Sequence, residues 1–437
     1  MNRLNRICFI VALSGFLFGF DIIVISGVDQ VLQDLWNSSD LFHGFVVMGT
    51  ALWGTVIGAI FGGYPSNRYG RKKTLIIIGL LFLISAIGSA MVSDPISFAI
   101  FRFIGGLGIG ASTIAAPAYL TEISPSKERG RIVAMYQLSI VIGILAAMAS
   151  NYLIEGNGDE SWRWMIGVEA LPALFFCLLI LKIPQSPRWL LSMGRVEEFQ
   201  ELKLKYSLEI DEKALLDKPL KSRKRGLKEL FKRKNLRITY LVILIAFFNQ
   251  FSGINAVLYY APRIFELGGL ERSAALLGGV GIGIVNLVFT LLGMWLIDRA
   301  GRKQLMYIGS VAYIVSLSII AFYFFQGIQS ASLSIFLFLF IAAHAIGQGT
   351  VIWVFMAEIF PTELRASGQA LGSSVHWILA ALIPSAIPYL FSMIGAATVF
   401  MIFGILMIVQ LFWVYFYMPE TKGKSLEEIV GELRPNE

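Results

Sequence analysis

Twelve apolar runs of spanning length organise this chain, and they leave little choice of fold. They lie at about 7–28, 44–63, 74–92, 96–120, 132–154 and 163–182, then at about 238–260, 275–297, 305–325, 332–357, 367–391 and 394–417. A helix needs about 20 apolar residues to cross a hydrocarbon layer roughly 30 Å thick. Strands of a membrane barrel would be half as long and would alternate in polarity. The 437 residues are 56% hydrophobic and 15% charged, more apolar surface than a soluble chain can bury. The expectation is an all-α, multi-pass membrane protein with twelve transmembrane helices.

Charge fixes the orientation. The net charge of +7 would suit nucleic acid, but its placement points to topology instead. With twelve helices starting inside, Arg163, Arg263 and Arg272 fall outside and Arg102 falls in the membrane. Every other one of the 36 Lys and Arg residues lies in a cytoplasmic segment. This positive-inside asymmetry predicts both termini in the cytoplasm of a bacterial inner or plasma membrane. Arg3 and Arg6 precede a run too long for a cleavable leader, and no small-residue cleavage site follows, so the first helix is expected to stay. Cys8 and Cys177 sit in apolar positions with neither metal nor disulfide spacing. No cofactor is called for.

The chain repeats itself. Gly63-Tyr-Pro-Ser-Asn67-Arg68-Tyr-Gly70-Arg71-Lys72 follows the second run, and Asp298-Arg299-Ala-Gly301-Arg302-Lys303 follows the eighth, 231 residues later. Glu122-Ile-Ser-Pro125 with Arg129 ends the fourth, and Glu358-Ile-Phe-Pro361 with Arg365 ends the tenth, 236 later. Pro184-Gln-Ser-Pro-Arg188 and Pro419-Glu-Thr-Lys422-Gly are 235 apart. Three matches near one offset predict two six-helix halves. The boundaries expected are 1–183 and 238–418 for the halves, 184–237 for a cytoplasmic linker of short amphipathic helices, and 419–437 for a cytoplasmic tail. Halves with six helices share one orientation, and such parallel repeats bind substrate near the midplane at their interface.

Three ionisable residues are out of place in lipid: Asp21, Arg102 and Glu169. At about 1.5 Å per residue, all three fall about 9–10 Å below the outer face. An arginine never loses its charge, so Arg102 needs a carboxylate partner. The arrangement reads either as a static salt bridge or as a carboxylate that alternates between Arg102 and a proton. Neutral polar residues inside the runs read either as helix glue or as donors and acceptors for a hydroxylated substrate.

The DRxGRK-type loops, Tyr119-Leu-Thr-Glu122, PQSPRWL at 184–190, QFSGINAVLYY at 250–260 and PETKGKSLEEI at 419–429 come in one order and spacing. With them the chain resembles the sugar porter family of the major facilitator superfamily, from Phe16 to Ile429. It is similar to bacterial proton-coupled xylose and hexose symporters and to facilitative glucose transporters. The resemblance implies proton-coupled import of a hexose or pentose by alternating access, with Asp21, Arg102 and Glu169 coupling the proton. It implies sugar contacts at Phe18, Gln137, Asn249, Gln250, Asn255, Asn286, Trp353, His376 and Trp377. It also implies a cytoplasmic latch of Arg68, Arg71, Glu122 and Arg129, mirrored by Asp298, Arg302, Glu358 and Arg365. Some positions depart from the family pattern. Asn249 stands for the first of two glutamines, His376 for Asn or Gln, and Asn67 for an aspartate. Ile144 stands where some xylose symporters have a second glutamine, and His344 and Gln348 replace a Pro-rich or Trp-containing segment. These changes leave the substrate class intact and the sugar open.

Within transport, the alternatives are a facilitative uniporter with a structural Asp21 and a proton-coupled carrier of a polyol such as inositol. An enzyme would need a nucleophile, base or metal cluster. A sugar sensor would need a long signalling tail. A drug exporter would favour an aromatic cavity poor in Gln and Asn. The expected partners are the monosaccharide, protons and the bilayer, with a monomer as the working unit.

Overall fold

The computed structural model describes residues 3–125, 128–156, 158, 160–206, 227–361 and 363–433, without the side chains of Arg3, Arg129, Leu227 and Leu426. These residues form helices, with no strand among them. Ten helices are long and apolar enough to span a membrane. One, Arg365–Phe416, runs 52 residues but contains Gly395 at φ 79° and ψ 152°, so it comprises two spans. A pair bent by 41°, Asp40–Met48 and Thr50–Arg68, makes another.

Twelve spans result among the described residues. They are α1 Leu4–Gly27, α2 (the bent pair), α3 Arg71–Met91, α4 Pro95–Ile123, α5 Gly130–Ile154 and α6 Ser161–Ile180. Then come α7 Arg233–Tyr259, α8 Arg272–Ala300, α9 Arg302–Gln326, α10 Leu333–Glu358, α11 at 365–394 and α12 at 396–416.

Side chains are distributed inside out. On α6, Leu171, Leu174, Phe175 and Leu178 recur at helical spacing and are exposed, as are Ile405, Ile408 and Phe412 on α12. Asp21, Arg102, Glu169, Gln250 and Gln348 are buried. A bilayer explains this, because lipid accepts apolar side chains and rejects unpaired polar ones. Helices approach closely through small residues, as membrane helices do. Gly54, Gly58 and Gly62 on α2 back onto Phe103, Leu107 and Ala111 of α4, where any Cβ would strike backbone.

The apolar runs predict unbroken helices, but besides the bent α2 three more are interrupted. The helix of α6 lapses between Gly167 and Ala170, at Glu169. α7 lapses between Phe251 and Ile254, where Gly253 has φ 86°. α10 breaks at Gly347, with φ −85° and ψ −100°. Irregular backbone at membrane depth is tolerated only where protein buries it or it lines a cavity. Each break lies beside a buried polar residue, and those residues supply the site described below.

The chain forms two compact units. One comprises Met1–Trp36 and Val46–Ser222, the other Asn37–Phe45 and Arg223–Glu437. After α6, the first unit carries two short helices, Pro187–Ser192 and Val196–Tyr206. The second of these buries Phe199 and Leu202, with Glu197 and Glu198 in its first turn and Lys203 and Lys205 in its last, the order the helix dipole favours. The rest of the linker from 207 to 226 lies outside the described residues.

Candidate functional site

In the first unit, Asp21, Arg102 and Glu169 are fully buried. Arg102 Nη1 donates to Asp21 Oδ1, and Arg102 Nη2 donates to the Asp21 carbonyl oxygen at 2.7 Å. The guanidinium thus holds both the side chain and the backbone of α1 at one residue. Asp21 Oδ2 and both Glu169 carboxyl oxygens have no hydrogen-bond partner among the described residues. Glu169 nevertheless lies within coulombic reach of Asp21 and Arg102. Two buried carboxyls and one fixed cation therefore share one cluster. Close by, Asn151 Nδ2 donates to Val24 O at 3.0 Å, fastening the far end of α1 to α5. Phe18 is buried on α1 and Gln137 half-buried on α5.

The second unit gathers most of the predicted sugar contacts around Gln250. Its Nε2 donates to Asn249 Oδ1 at 3.0 Å and lies 3.2 Å from His376 Nδ1. Its Oε1 accepts from Asn255 Nδ2 at 2.8 Å. The lapse in α7 makes this possible, because it lets residues five apart turn toward one another. The His376 ring is flanked by Trp353 and Trp377, at centroid distances of 4.9 and 5.0 Å. Three amides, an imidazole and two indoles thus present hydrogen-bonding edges beside flat apolar faces. Asn286 is buried on α8, and among the described residues no hydrogen bond joins it to this set.

At the Arg71 end of α3, the first unit ties three segments together. Arg71 Nη2 donates to Glu122 Oε1 at 2.8 Å, and Ser186 Oγ donates to Glu122 Oε2 at 2.5 Å. The second unit repeats this. Arg302 Nη2 and Nε donate to Glu358 Oε1 and Oε2 at 2.7 and 3.1 Å, and Thr421 Oγ1 donates to Oε2 at 2.6 Å. Gly70 and Gly301, at φ 87° and 95°, bring the chain against Gln185 and Glu420 respectively. A Cβ would meet those side chains, so the close approach and the positive φ both require glycine. The other latch positions differ in kind. Asp298 Oδ1 is 3.3 Å from Arg302 Nη1 but 81% exposed, a pair worth little. Arg68 lies over the rings of Tyr64 and Tyr69. Arg365 is half-buried, and its Nε and Nη2 have no hydrogen-bond partner among the described residues. The Arg129 side chain lies outside those described.

Gln185 and Glu420 occupy matching places with different charge. Gln185 Oε1 accepts from Lys72 N at 2.9 Å. Glu420 accepts from the backbone N–H groups of Arg302, Lys303, Thr421 and Lys422. Partial burial is the largest influence on the Glu420 carboxyl and pushes it up, but the four N–H groups together outweigh it and hold it below the usual glutamate range. A lowered carboxyl stabilises fully at neutral pH and loses that contribution only as pH falls through its folded-state value. Glu420→Gln, which has neither that charge nor two accepting oxygens, should therefore be less stable than wild type at pH 7 and lose less stability on acidification. Glu420→Ala, which strands several N–H groups, should cost about 1–3 kcal/mol at pH 7. Thermal unfolding in detergent at both pH values checks the pair, and equal unfolding temperatures for all three proteins would refute it.

The chain is similar to known proteins along nearly its whole length. The family model described as "Sugar (and other) transporter" matches residues 7–432. The chain belongs to the sugar transporter family. It is 36% identical over 428 residues to the arabinose-proton symporter of Bacillus subtilis strain 168, covering 95% of this chain and 92% of that one. It is 31% identical over 473 residues to the D-xylose-proton symporter of Escherichia coli strain K12, covering 98% and 95%. The inward-open structure of the xylose transporter XylE from E. coli matches with TM-score 0.86 and 29% identity, over 99% of this chain and 100% of that one. The fold is the twelve-helix major facilitator fold, and the protein is a membrane transporter, not an enzyme.

One buried network in this transporter joins His344 and Gln348 to residues that the sequence did not single out. Tyr313 Oη on α9 is 2.6 Å from His344 Nδ1 and donates to Gln348 Oε1 at 3.3 Å, so it bridges the break in α10. Gln348 Nε2 donates to Gln410 Oε1 on α12, and Gln410 Nε2 donates to Ser310 Oγ at 2.7 Å. Thr350 Oγ1 donates to Ala345 O across the same break at 2.6 Å. These bonds hold the two parts of α10 together across the break at Gly347. The sequence signal available was Gly347-Gln348-Gly349 inside an apolar run, a polar residue between two helix breakers.

Proposed function

We propose that this chain carries a monosaccharide, a hexose or pentose, together with a proton across the cell membrane by alternating access, with both termini in the cytoplasm. The buried Asp21–Arg102 pair, with Glu169 in reach, is the observation that carries the reading. With all three groups ionised, the cluster bears one net negative charge on fully buried side chains, and an unpaired buried charge costs several kcal/mol, roughly. One proton makes the cluster neutral. A closed, water-excluding state therefore favours the proton-loaded cluster, while a state open to water tolerates Asp21 ionised against Arg102. Protonation loosens the hold of Arg102 on α1, at the residue three after Phe18 of the sugar set.

The relatives named as arabinose- and xylose-proton symporters support a monosaccharide as the cargo, a pentose first. The Gln250, Asn255 and His376 edges suit its hydroxyls, and Trp353 and Trp377 suit its apolar ring faces. The halves 1–183 and 238–418 move as bodies, joined by the linker 184–237. The Arg71–Glu122–Ser186 and Arg302–Glu358–Thr421 clusters act as latch parts whose making and breaking bias the two states. The protein works as a monomer in the bilayer.

Uptake of radiolabelled xylose, arabinose and glucose into proteoliposomes, with and without an inward proton gradient, tests the reading. At least one sugar should accumulate above its external concentration only with the gradient. Equilibration that ignores the gradient for every sugar carried would make the protein a uniporter.

A further inference from the structure

In the first unit, Asp21 Oδ2, both Glu169 carboxyl oxygens, Ser85 Oγ and Ser89 Oγ are buried with no hydrogen-bond partner among the described residues. Buried serine hydroxyls on helices ordinarily bond back to a carbonyl one turn earlier, as Thr74 does to Gly70 on this same helix. Ser85 and Ser89 do not, although both are wholly buried. They lie four residues apart and so share one face of α3, and Phe82 and Ala86 extend that buried face. Gly105 of α4 defines what Ser85 faces. A Cβ there would strike Ser85 Oγ and would lie 2.6 Å from Asp21 Oδ2. The two oxygens therefore border the same small space, kept open by the missing side chain. Arg102 bonds Oδ1 of Asp21, so Oδ2 is the oxygen left to face Ser85.

The direction of the stripe matters. α3 runs from the latch at Arg71 to Met91, so Ser89 stands about 3 Å from the far end and Ser85 about 9 Å. That far end is polar. Arg163 Nη1 donates to Ala90 O at 2.9 Å, and Trp36 Nε1 donates to Ser93 O at 2.9 Å.

We propose that Ser85 and Ser89 line a short file of water joining the outer end of α3 to Asp21 Oδ2, and that this file is the route by which the proton reaches the cluster. Buried water characteristically satisfies polar groups that the protein leaves unpaired. Each hydroxyl takes one proton on its outer side as it passes its own inward, so no charge remains on serine. One proton leaves the outer water and one arrives on Asp21 Oδ2. Glu169 is the second carboxyl facing the cluster, and Arg102 is its cation. The serine hydroxyls are themselves members of the proton file. The proposal rests on Asp21 as the coupling carboxyl.

The test is the double variant Ser85→Ala/Ser89→Ala, with Ser85→Thr/Ser89→Thr as the conservative rescue, in proteoliposomes. A purely structural role for two unpartnered hydroxyls predicts unchanged or raised thermal stability and unchanged transport. A water file predicts that the initial rate of proton-driven uptake falls about tenfold, with sugar counterflow at equal pH and the unfolding temperature at wild-type values. It also predicts that the slowing of uptake in D2O becomes larger in the alanine variant and returns to the wild-type value in the threonine one. Wild-type proton-driven rates and isotope effect in the alanine variant would overturn the water file. Loss of counterflow together with uptake would overturn it too, by showing a packing defect. Asp21→Asn, measured alongside, keeps the two questions apart. If that variant still accumulates sugar, the coupling role of Asp21 fails, whatever the serines do.

Discussion

Asp21→Asn is expected to abolish uphill accumulation of sugar while leaving sugar exchange in place. The amide matches the carboxylic acid in size and can still accept from Arg102 Nη1, so the packing of α1 against α4 survives. It cannot gain or lose a proton, so the cluster stays in its loaded charge state on both sides of the membrane. Transport of sugar alone then has no link to the gradient. For one proton carried per sugar, one pH unit corresponds to about 1.4 kcal/mol and supports about tenfold accumulation. The wild-type protein should approach that ratio, and Asp21→Asn should stop at equal concentrations. Counterflow, which swaps labelled for unlabelled sugar without net proton movement, should continue. Accumulation and counterflow measured in the same vesicles decide the matter. An asparagine variant that still concentrates sugar against its gradient moves coupling elsewhere, and a variant inert in both assays makes Asp21 structural.

Why Asp21 stands out in the sequence, and Ser85 does not, follows from how membrane burial works. A carboxylate in an apolar run is costly enough to need a reason, and helix rise alone puts Arg102 at the same depth as its partner. The latch pair Arg71–Glu122 is legible for a similar reason: the two residues recur at one offset as Arg302 and Glu358. Their hydroxyl partners Ser186 and Thr421 do not stand out, because a serine or threonine within two residues of a proline reads first as a local cap. Ser186 is such a cap, accepting from Trp189 N at 3.2 Å, and the bond to Glu122 is a second use of the same oxygen. Uncharged polar residues inside the runs are the hardest. Tyr313, Gln410 and Ser310 look like helix glue one at a time, and only the fold shows them meeting around Gly347. The helix breaks are hidden for the same reason. Hydropathy measures length, and Gly253 or Gly347 shortens no apolar run. Gly395 hides a boundary in the opposite sense, by letting two spans follow each other with no polar loop between them.

Gln250→Ala is expected to weaken sugar binding by about ten- to a hundredfold, the result of losing roughly 1–3 kcal/mol. The size follows from the hydrogen-bond count around one amide. Gln250 uses its Nε2 toward Asn249 and His376 and its Oε1 toward Asn255. An alanine removes one sugar contact and also strands three protein groups in a buried site. Asn255 and His376 lose the partner that orients them, and His376 is the ring held between Trp353 and Trp377, so the loss extends to the apolar faces. Asn249→Ala should cost less, since Asn249 gives up one bond and leaves the remainder of the Gln250 amide in place. The proton cluster lies on α1, α4 and α6, and the bonds of Arg102 to Asp21 join α4 to α1. The weakened variant should therefore still accumulate sugar, with the wild-type ratio of inside to outside concentration once sugar is raised to saturation. Titration of indole fluorescence with the transported sugar gives the affinity, and gradient-driven uptake at saturating sugar gives the coupling. Unchanged affinity in Gln250→Ala would remove this amide from the sugar site. Reduced affinity with lost accumulation at saturation would mean that the amide also takes part in coupling, so that sugar binding and proton chemistry are not separate in this transporter.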